Sequence, residues 1–320
     1  MQVIELIRQA ETTGKSRFSF ELLPPLKGDG TDNVFEAIDT LAEYGPACIS
    51  VTSHREEVKY IERENGLLER RIVRRRPGTI GISEAIIRRY GIEAIPHLIC
   101  GGVSKYDIED ALIDMDFLGM TNVLALRGDN VHGERRFEPH PQGYAHASEL
   151  VEQIAAMNRG TFLDDEAHTH HRSAFCIGVA GYPEKHAESA NEQTDLENLK
   201  RKVDAGADYI ITQMSFDNKK IFDFIDRCRK TGITVPIVPG IKPFSTKAQL
   251  TLLPHTFHVD LPQELVDAVE ACPDNRAVRE VGIEWATMQA RELKAAGLPL
   301  IHFYSMGKTD NVARIVKNVF

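Results

Sequence analysis

Glu21 is a carboxylate set in an apolar run, R-F-S-F-E-L-L-P-P, with Phe18, Phe20, Leu22 and Leu23 around it. Burying a carboxylate in charged form is costly, so such a setting raises its pKa and leaves it partly protonated near neutrality, as a general acid requires. The same residue would equally serve as an ion-pair partner inside the fold, for instance with Arg127 or Lys242. In L-R-G-D-N at 126–130, Gly128 lets the backbone approach a ligand closely between Arg127 and Asp129, although these letters are also ordinary turn chemistry. His97 stands in the apolar A-I-P-H-L-I-C at 94–100, where a hydrogen-bonded core histidine is a plainer reading than a ligand. Asp195, Asn198 and Lys202 recur at spacings of three and four, which puts them on one helix face with Arg201 beside them. Such a face could hold a ribose and a diphosphate, or be merely solvated. His168, His170 and His171 form H-T-H-H, a metal-ligand spacing, but no matched ligand set accompanies them and no metal is expected.

Something must bring these groups together. Short β-branched or apolar runs occur at 17–23, 48–53, 94–100, 122–127, 175–182, 209–216, 236–241 and 300–305, separated by segments with apolar residues at helical spacing. Eight strands alternating with helices predict an α/β fold, a single (β/α)8 barrel over residues 1–320, and no G-x-G-x-x-G follows the first strand to suggest an open doubly wound sheet. Barrel chemistry collects at the C-terminal ends of the strands. Glu21, Thr52, Ser53, His97, Arg127, Asp129, Tyr182, His186, Gln213, Lys242 and Lys308 all fall at or just beyond those ends, whereas H-T-H-H precedes a strand and so lies toward the opposite face. Residues 1–15 read as a short amphipathic helix closing one end. Two stretches exceed ordinary connections and are expected to be surface insertions: a basic region at 56–90, read as helical, and an excursion at 158–172.

The chain has 320 residues, 42% of them hydrophobic and 27% charged, enough for a large core. A net charge of −9 argues against general nucleic-acid binding, which needs a basic face. No apolar run approaches the roughly 18 residues needed to span a bilayer, and the N-terminus carries no signal core. Five cysteines, none at C-x-x-C spacing, are expected to be reduced thiols of a cytoplasmic protein.

The motifs in order are S-F-E-L-L-P-P at 19–25, S-V-T at 50–52, P-H-L-I-C at 96–100, A-L-R-G-D at 125–129 and G-Y-P-E-K-H at 181–186. They continue with D-L-E-N-L-K-R-K-V-D-A-G-A at 195–207, I-T-Q-M-S-F-D at 211–217, P-G-I-K-P at 239–243 and H-F-Y-S-M at 302–306. The set resembles methylenetetrahydrofolate reductases of the bacterial catalytic-domain type over nearly the whole chain. That resemblance implies an oxidoreductase with FAD across the C-terminal face of the barrel, working in two half-reactions. NADH or NADPH reduces the flavin in the first, and 5,10-methylenetetrahydrofolate is reduced to 5-methyltetrahydrofolate in the second. It implies Glu21 as the acid that protonates a folate nitrogen to open the five-membered ring, and Asp129 as the charge that steadies the resulting cation. Gln213, Gln249 and Lys308 are implied as folate contacts. Ser53, His97, Arg127, Gly128, Asp129, Tyr182, His186, Asp195, Asn198, Arg201 and Lys202 are implied as FAD contacts, with Thr52 near the nicotinamide.

The chain departs from the family at H-F-Y-S-M-G-K, where H-F-Y-T-L-N-R is common. Lys308 keeps the charge that meets the folate tail but loses the planar fork of arginine. The chain carries no counterpart of the C-terminal regulatory domain of the animal enzymes, so inhibition by adenosylmethionine is not expected. Two other readings stand beside this one: a flavin-free pterin-binding methyltransferase barrel, and a flavin- or folate-binding barrel that serves as a subunit of a larger redox complex. Self-association is left open by the sequence.

Overall fold

The structure is a computed structural model that describes all residues except 56, 131–135 and 165–170. In chain order, helix α1 (Val3–Thr13) precedes strand β1 (Arg17–Leu22), helix α2 (Asp32–Ala42), strand β2 (Cys48–Val51) and a hairpin of β3 (Glu57–Glu62) and β4 (Leu68–Val73). Then come α3 (Thr79–Tyr90), β5 (Glu93–Ile99), α4 (Lys105–Phe117), β6 (Asn122–Leu126), α5 (Ala147–Asn158), β7 (Cys176–Gly181) and α6 (Glu192–Ala205). The chain finishes with β8 (Tyr209–Met214), α7 (Asn218–Lys230), β9 (Ile237–Ile241), α8 (Gln249–Phe257), α9 (Gln263–Glu270), α10 (Asn275–Ala295), β10 (Leu300–Phe303) and α11 (Thr309–Val319). All strands but the hairpin close into a parallel barrel in the order β1-β10-β9-β8-β7-β6-β5-β2. The eight expected strands are these eight, and the expected (β/α)8 barrel with an extra N-terminal helix is what forms.

Successive side chains on a strand face opposite ways, so each barrel strand divides its residues between the interior and the helical jacket. On β1, Phe18, Phe20 and Leu22 pack outward against Ile38, Leu41, Ile315 and Val316 of the surrounding helices. Ser19 and Glu21 are left facing inward, and the Ser19 hydroxyl meets Nδ1 of His302, its register partner on β10, at 2.9 Å. The floor of the barrel is apolar. Cys48, Ile95, Leu124, Tyr209, Ile211 and Val238 form one cluster with Val3, Ile4, Leu6 and Ile7 of α1, which plugs the end where the strands begin. The Val3 amide donates to Asn122 Oδ1 at 2.8 Å, tying the plug to β6. With that end sealed, the opposite mouth is the open one.

One expectation needs correction. Residues 57–73 are not helical; they form an antiparallel hairpin, and only α3 is a helix within the basic stretch. Its turn runs through Asn65 and Gly66, with Gly66 at φ 73°, a conformation that suits glycine and favours a hairpin over a continued helix. Arg63 and Arg71 pair with Glu69, and Arg75 with Glu57, so the charges hold the hairpin rather than coat a helix. Helix α6 is capped by Asn191, whose side chain accepts from the Thr194 amide at 2.9 Å.

Gly240 shows how tightly the interior is filled. A Cβ there would overlap the Tyr304 ring and lie 2.5 Å from the Thr212 carbonyl oxygen. Gly240→Ala is therefore expected to destabilise the fold by about 1–3 kcal/mol through overpacking, read as a lower thermal midpoint. An unchanged midpoint would mean that this corner is looser than its contacts indicate.

Candidate active site

At the mouth, strand register aligns three inward-facing side chains. Phe20 pairs with Phe303, and Phe303 with Ile241, so the residues that follow them, Glu21, Tyr304 and Lys242, stand level on neighbouring strands. The Tyr304 hydroxyl donates to the Thr212 carbonyl at 2.7 Å, and Ser305 Oγ donates to the Glu21 backbone carbonyl at 2.8 Å. Burial pushes the Glu21 carboxyl up to about 7, against the opposing pull of the Lys242 ammonium. The cause differs from the one the sequence suggested: the neighbouring phenyl rings lie on the other face of β1, and it is the barrel interior that withholds water. Glu21 makes no ion-pair contact with Lys242, and Arg127 is engaged elsewhere. Lys242 is 3% exposed, and burial pulls its ammonium down to about 8 despite the nearby Glu21.

Two buried imidazoles share the interior: His302 lies one inward step below Tyr304 on β10, and His97 lies on β5. His97 and His302 are each pulled down to about 3, chiefly by burial, with His302 and His54 adding to the effect at His97. His302 is satisfied by Ser19, but His97 Nε2 is buried with no hydrogen-bond partner among the described residues. An orphaned polar atom in a buried position marks a place where a partner is missing.

A second group gathers at the ends of β6 and β7. Arg127 grips Glu188 with both arms, at 2.5 and 2.9 Å, and its guanidinium lies 4.7 Å from the centre of the Phe137 ring. The Tyr182 ring meets the His186 ring edge-on at 4.7 Å. Asp195 is buried and accepts from Ser189 Oγ at 2.8 Å. The Lys202 ammonium reaches the Ala180 carbonyl at the end of β7 at 2.5 Å, and burial pulls it down to about 8, Asp195 opposing. Asp195 and Lys202 thus turn toward the strand ends and are not on a solvated face. Asn198 and Arg201 are exposed and bond to each other at 3.1 Å.

The remaining expected residues are scattered along the rim. Thr52 bonds His54 Nε2 at 3.2 Å, Ser53 is half-buried, and Asp129 is exposed. Gly128 adopts φ 85° with Ile99 packed close against it, so a side chain there would be both strained and crowded. Gln213 Oε1 accepts from the Met214 amide at 2.9 Å, and Lys308 is exposed just before α11. Gln249 begins α8 with Oε1 accepting from the Ser245 amide at 2.7 Å, so half of its side chain serves its own loop. His171 meets Asp116 at 2.5 Å, while His168 and His170 lie outside the described residues. Sequence reasoning missed Glu188 as the partner of Arg127, along with Tyr304 and His302. Alternation along 300–304 would have placed the last two inside; nothing local would have found the first.

The sequence pattern of the methylenetetrahydrofolate reductase family matches residues 6–319. The chain belongs to that family. It is 33% identical to methylenetetrahydrofolate reductase (NADH) 1 of Arabidopsis thaliana over 333 aligned positions, covering 100% of this chain and 51% of the plant protein. It is 32% identical to 5,10-methylenetetrahydrofolate reductase of Escherichia coli K12, covering 94% of this chain and 90% of that one. The chain spans about half the length of the plant relatives it matches. With plant, yeast and bacterial relatives alike, membership is of the family as a whole and not of a bacterial subset. Among solved structures, an uncharacterized protein from Clostridium thermocellum that binds two copies of 5-methyl-5,6,7,8-tetrahydrofolic acid superposes with a TM-score of 0.60 at 14% identity, covering 97% of this chain and 96% of that one. That likeness is one of fold. No helix among the described residues is long and apolar enough to cross a membrane.

The two buried imidazoles give a test that needs no ligand. Both bind a proton less tightly in the fold than at the ordinary value of 6.5, so their contribution to stability is present above that pH and is lost as pH falls toward about 3. The ¹⁵N signals of His97 and His302 should hold the neutral pattern from about pH 8 down to about pH 5, whereas an unburied imidazole would titrate in between. Movement of either signal in that range would overturn the burial argument.

Proposed function

We propose that this chain reduces 5,10-methylenetetrahydrofolate to 5-methyltetrahydrofolate, with FAD as the bound redox group and NADH or NADPH as the hydride source, on one barrel domain over residues 1–320. The observation that carries the reading is Glu21: a carboxyl that keeps its proton to about 7, facing the open mouth of the barrel. Opening the folate ring requires a proton on the departing nitrogen, because a neutral amine leaves far more readily than its anion. Glu21 holds that proton on its carboxyl oxygen and delivers it, and the negative charge of Asp129 steadies the substrate cation that follows.

FAD, when bound, would supply two-electron hydride chemistry. The residues present fit such a group. Among the described residues His97 Nε2 lacks a partner and Lys202 offers a desolvated ammonium with a single carbonyl acceptor, while Tyr182, its ring 6.0 Å from that ammonium, stands against His186. Ser53, Arg127, Gly128, Asp129, Asp195, Asn198 and Arg201 complete the set by family resemblance, with Thr52 toward the nicotinamide. Gln213, Gln249 and Lys308 are assigned to the folate on the same ground.

Glu21→Gln keeps the shape and removes the proton. The folate half-reaction should slow by about 10²–10⁴, while reduction of the flavin by NADH or NADPH stays within roughly tenfold of wild type. Stopped-flow traces of each half-reaction decide the matter. A variant that melts normally and still passes its electrons to methylenetetrahydrofolate at the wild-type rate would remove Glu21 from this role. For Lys202→Ala, loss of a charge-assisted contact should weaken FAD retention by about one to two powers of ten with the fold intact. Flavin fluorescence after dilution measures it, and equal retention would detach Lys202 from the cofactor.

A further inference from the structure

Lys242 is the buried cation that the reading above leaves without a task. It follows β9 on the inward face, after Val238 and Gly240, and is 3% exposed. Among the described residues no hydrogen bond or ion pair reaches its ammonium, a costly state for a charge largely withdrawn from water. The groups around it are few. Tyr304 on β10 has its hydroxyl committed to Thr212, and Ser305 is committed to the Glu21 backbone. Lys308, exposed beyond β10, adds only repulsion. On β1 stands Glu21, whose own carboxyl oxygens accept no hydrogen bond from the described residues. On the far side of β1, Ser50 of β2 pairs with Glu21 in register and carries no charge.

We propose that Lys242 acts on the reaction through Glu21, its buried ammonium stabilising the carboxylate that remains once Glu21 has given up its proton. The proposal rests on the reading of Glu21 as the proton donor. Lys242 is then a positioning residue, acting by charge and not by contact with substrate. Its distance suits that task. Two strand spacings separate the backbones, roughly 9–10 Å. An ammonium in direct contact would hold the carboxyl ionised, and a desolvated carboxyl with no cation would cling to its proton. For charges about as far apart as these backbones, at an effective dielectric of about 20, the interaction is worth about one pH unit.

The test uses the full chain with Lys242→Met, Lys242→Gln and Lys242→Arg. Infrared titration of the Glu21 carboxyl, isolated as the difference from Glu21→Gln, reads its protonation without folate or turnover. Removing the positive charge disfavours the anion, so both neutral variants should move the Glu21 midpoint upward by about one pH unit, and Lys242→Arg should restore it. The neutral variants should melt no lower than wild type, since an unpartnered buried charge has been removed. The pH profile of the folate half-reaction should shift upward with the midpoint, while flavin reduction by the nicotinamide keeps its profile. An unmoved Glu21 midpoint in the two neutral variants overturns the proposal, as does an equal upward move in Lys242→Arg. A midpoint that moves as stated in a chain that does not turn over methylenetetrahydrofolate would uphold the coupling and remove the proposed function instead.

Discussion

Closure of a parallel sheet into a ring gives every strand one face toward helices and one toward an interior with no exit but the mouth. Each polar group of the candidate site depends on that division. Had β1 slipped by one residue, Phe18, Phe20 and Leu22 would crowd the interior and Glu21 would meet the α2 and α11 side chains instead. The register is fixed on both flanks, by Phe20 against Ile49 and against Phe303, so the inward aim of Glu21 belongs to the whole ring and not to one strand. The plug of α1 on the floor completes the arrangement, because it excludes water from the end remote from the chemistry.

The interior is graded from floor to mouth. Apolar side chains fill the bottom, and above them the neutral polar groups Ser19, Ser50, His97 and His302 share the interior with the ionisable Glu21 and Lys242. This order follows from the cost of charge. The two imidazoles survive there by staying neutral, and Glu21 and Lys242 survive by holding weakened charges. Only partial desolvation leaves a carboxyl that both carries a proton at neutrality and can part with it. Deeper placement would trap the proton, and full exposure would lose it.

How much of this was legible depended on the range of the interaction. The eight strands were, because alternation and flanking turns are local properties. Glu21 was legible as an anomaly, although its cause was misplaced: adjacent rings in sequence are opposite-facing on a strand. Residues 57–73 misled because dense arginines mask period-two alternation, while the Asn65-Gly66 turn carried the true signal. The pairing of Arg127 with Glu188 was illegible, since 61 positions separate the two and only the adjacency of β6 and β7 brings their following loops together. The level of Lys242 with Glu21 was equally hidden, because it is fixed by register across two ladders.

The grip of Arg127 on Glu188 bears on how an anion could enter this site. A bidentate guanidinium–carboxylate pair has good geometry, but Glu188 is 47% exposed on its side chain, and pairs so open to water are worth only about 0–1 kcal/mol. Exchange of that carboxylate for a more highly charged phosphate oxygen would therefore meet little resistance. Phe137, against which the guanidinium also rests, holds the planar group in place whichever anion fills the fork. Lys202 is the contrasting case. Its ammonium is already desolvated and tied to a backbone carbonyl, so an arriving anion would gain a charge whose cost of burial was met when the chain folded. One cation is thus exchangeable and the other preorganised, a division of labour set by how far each sits from water.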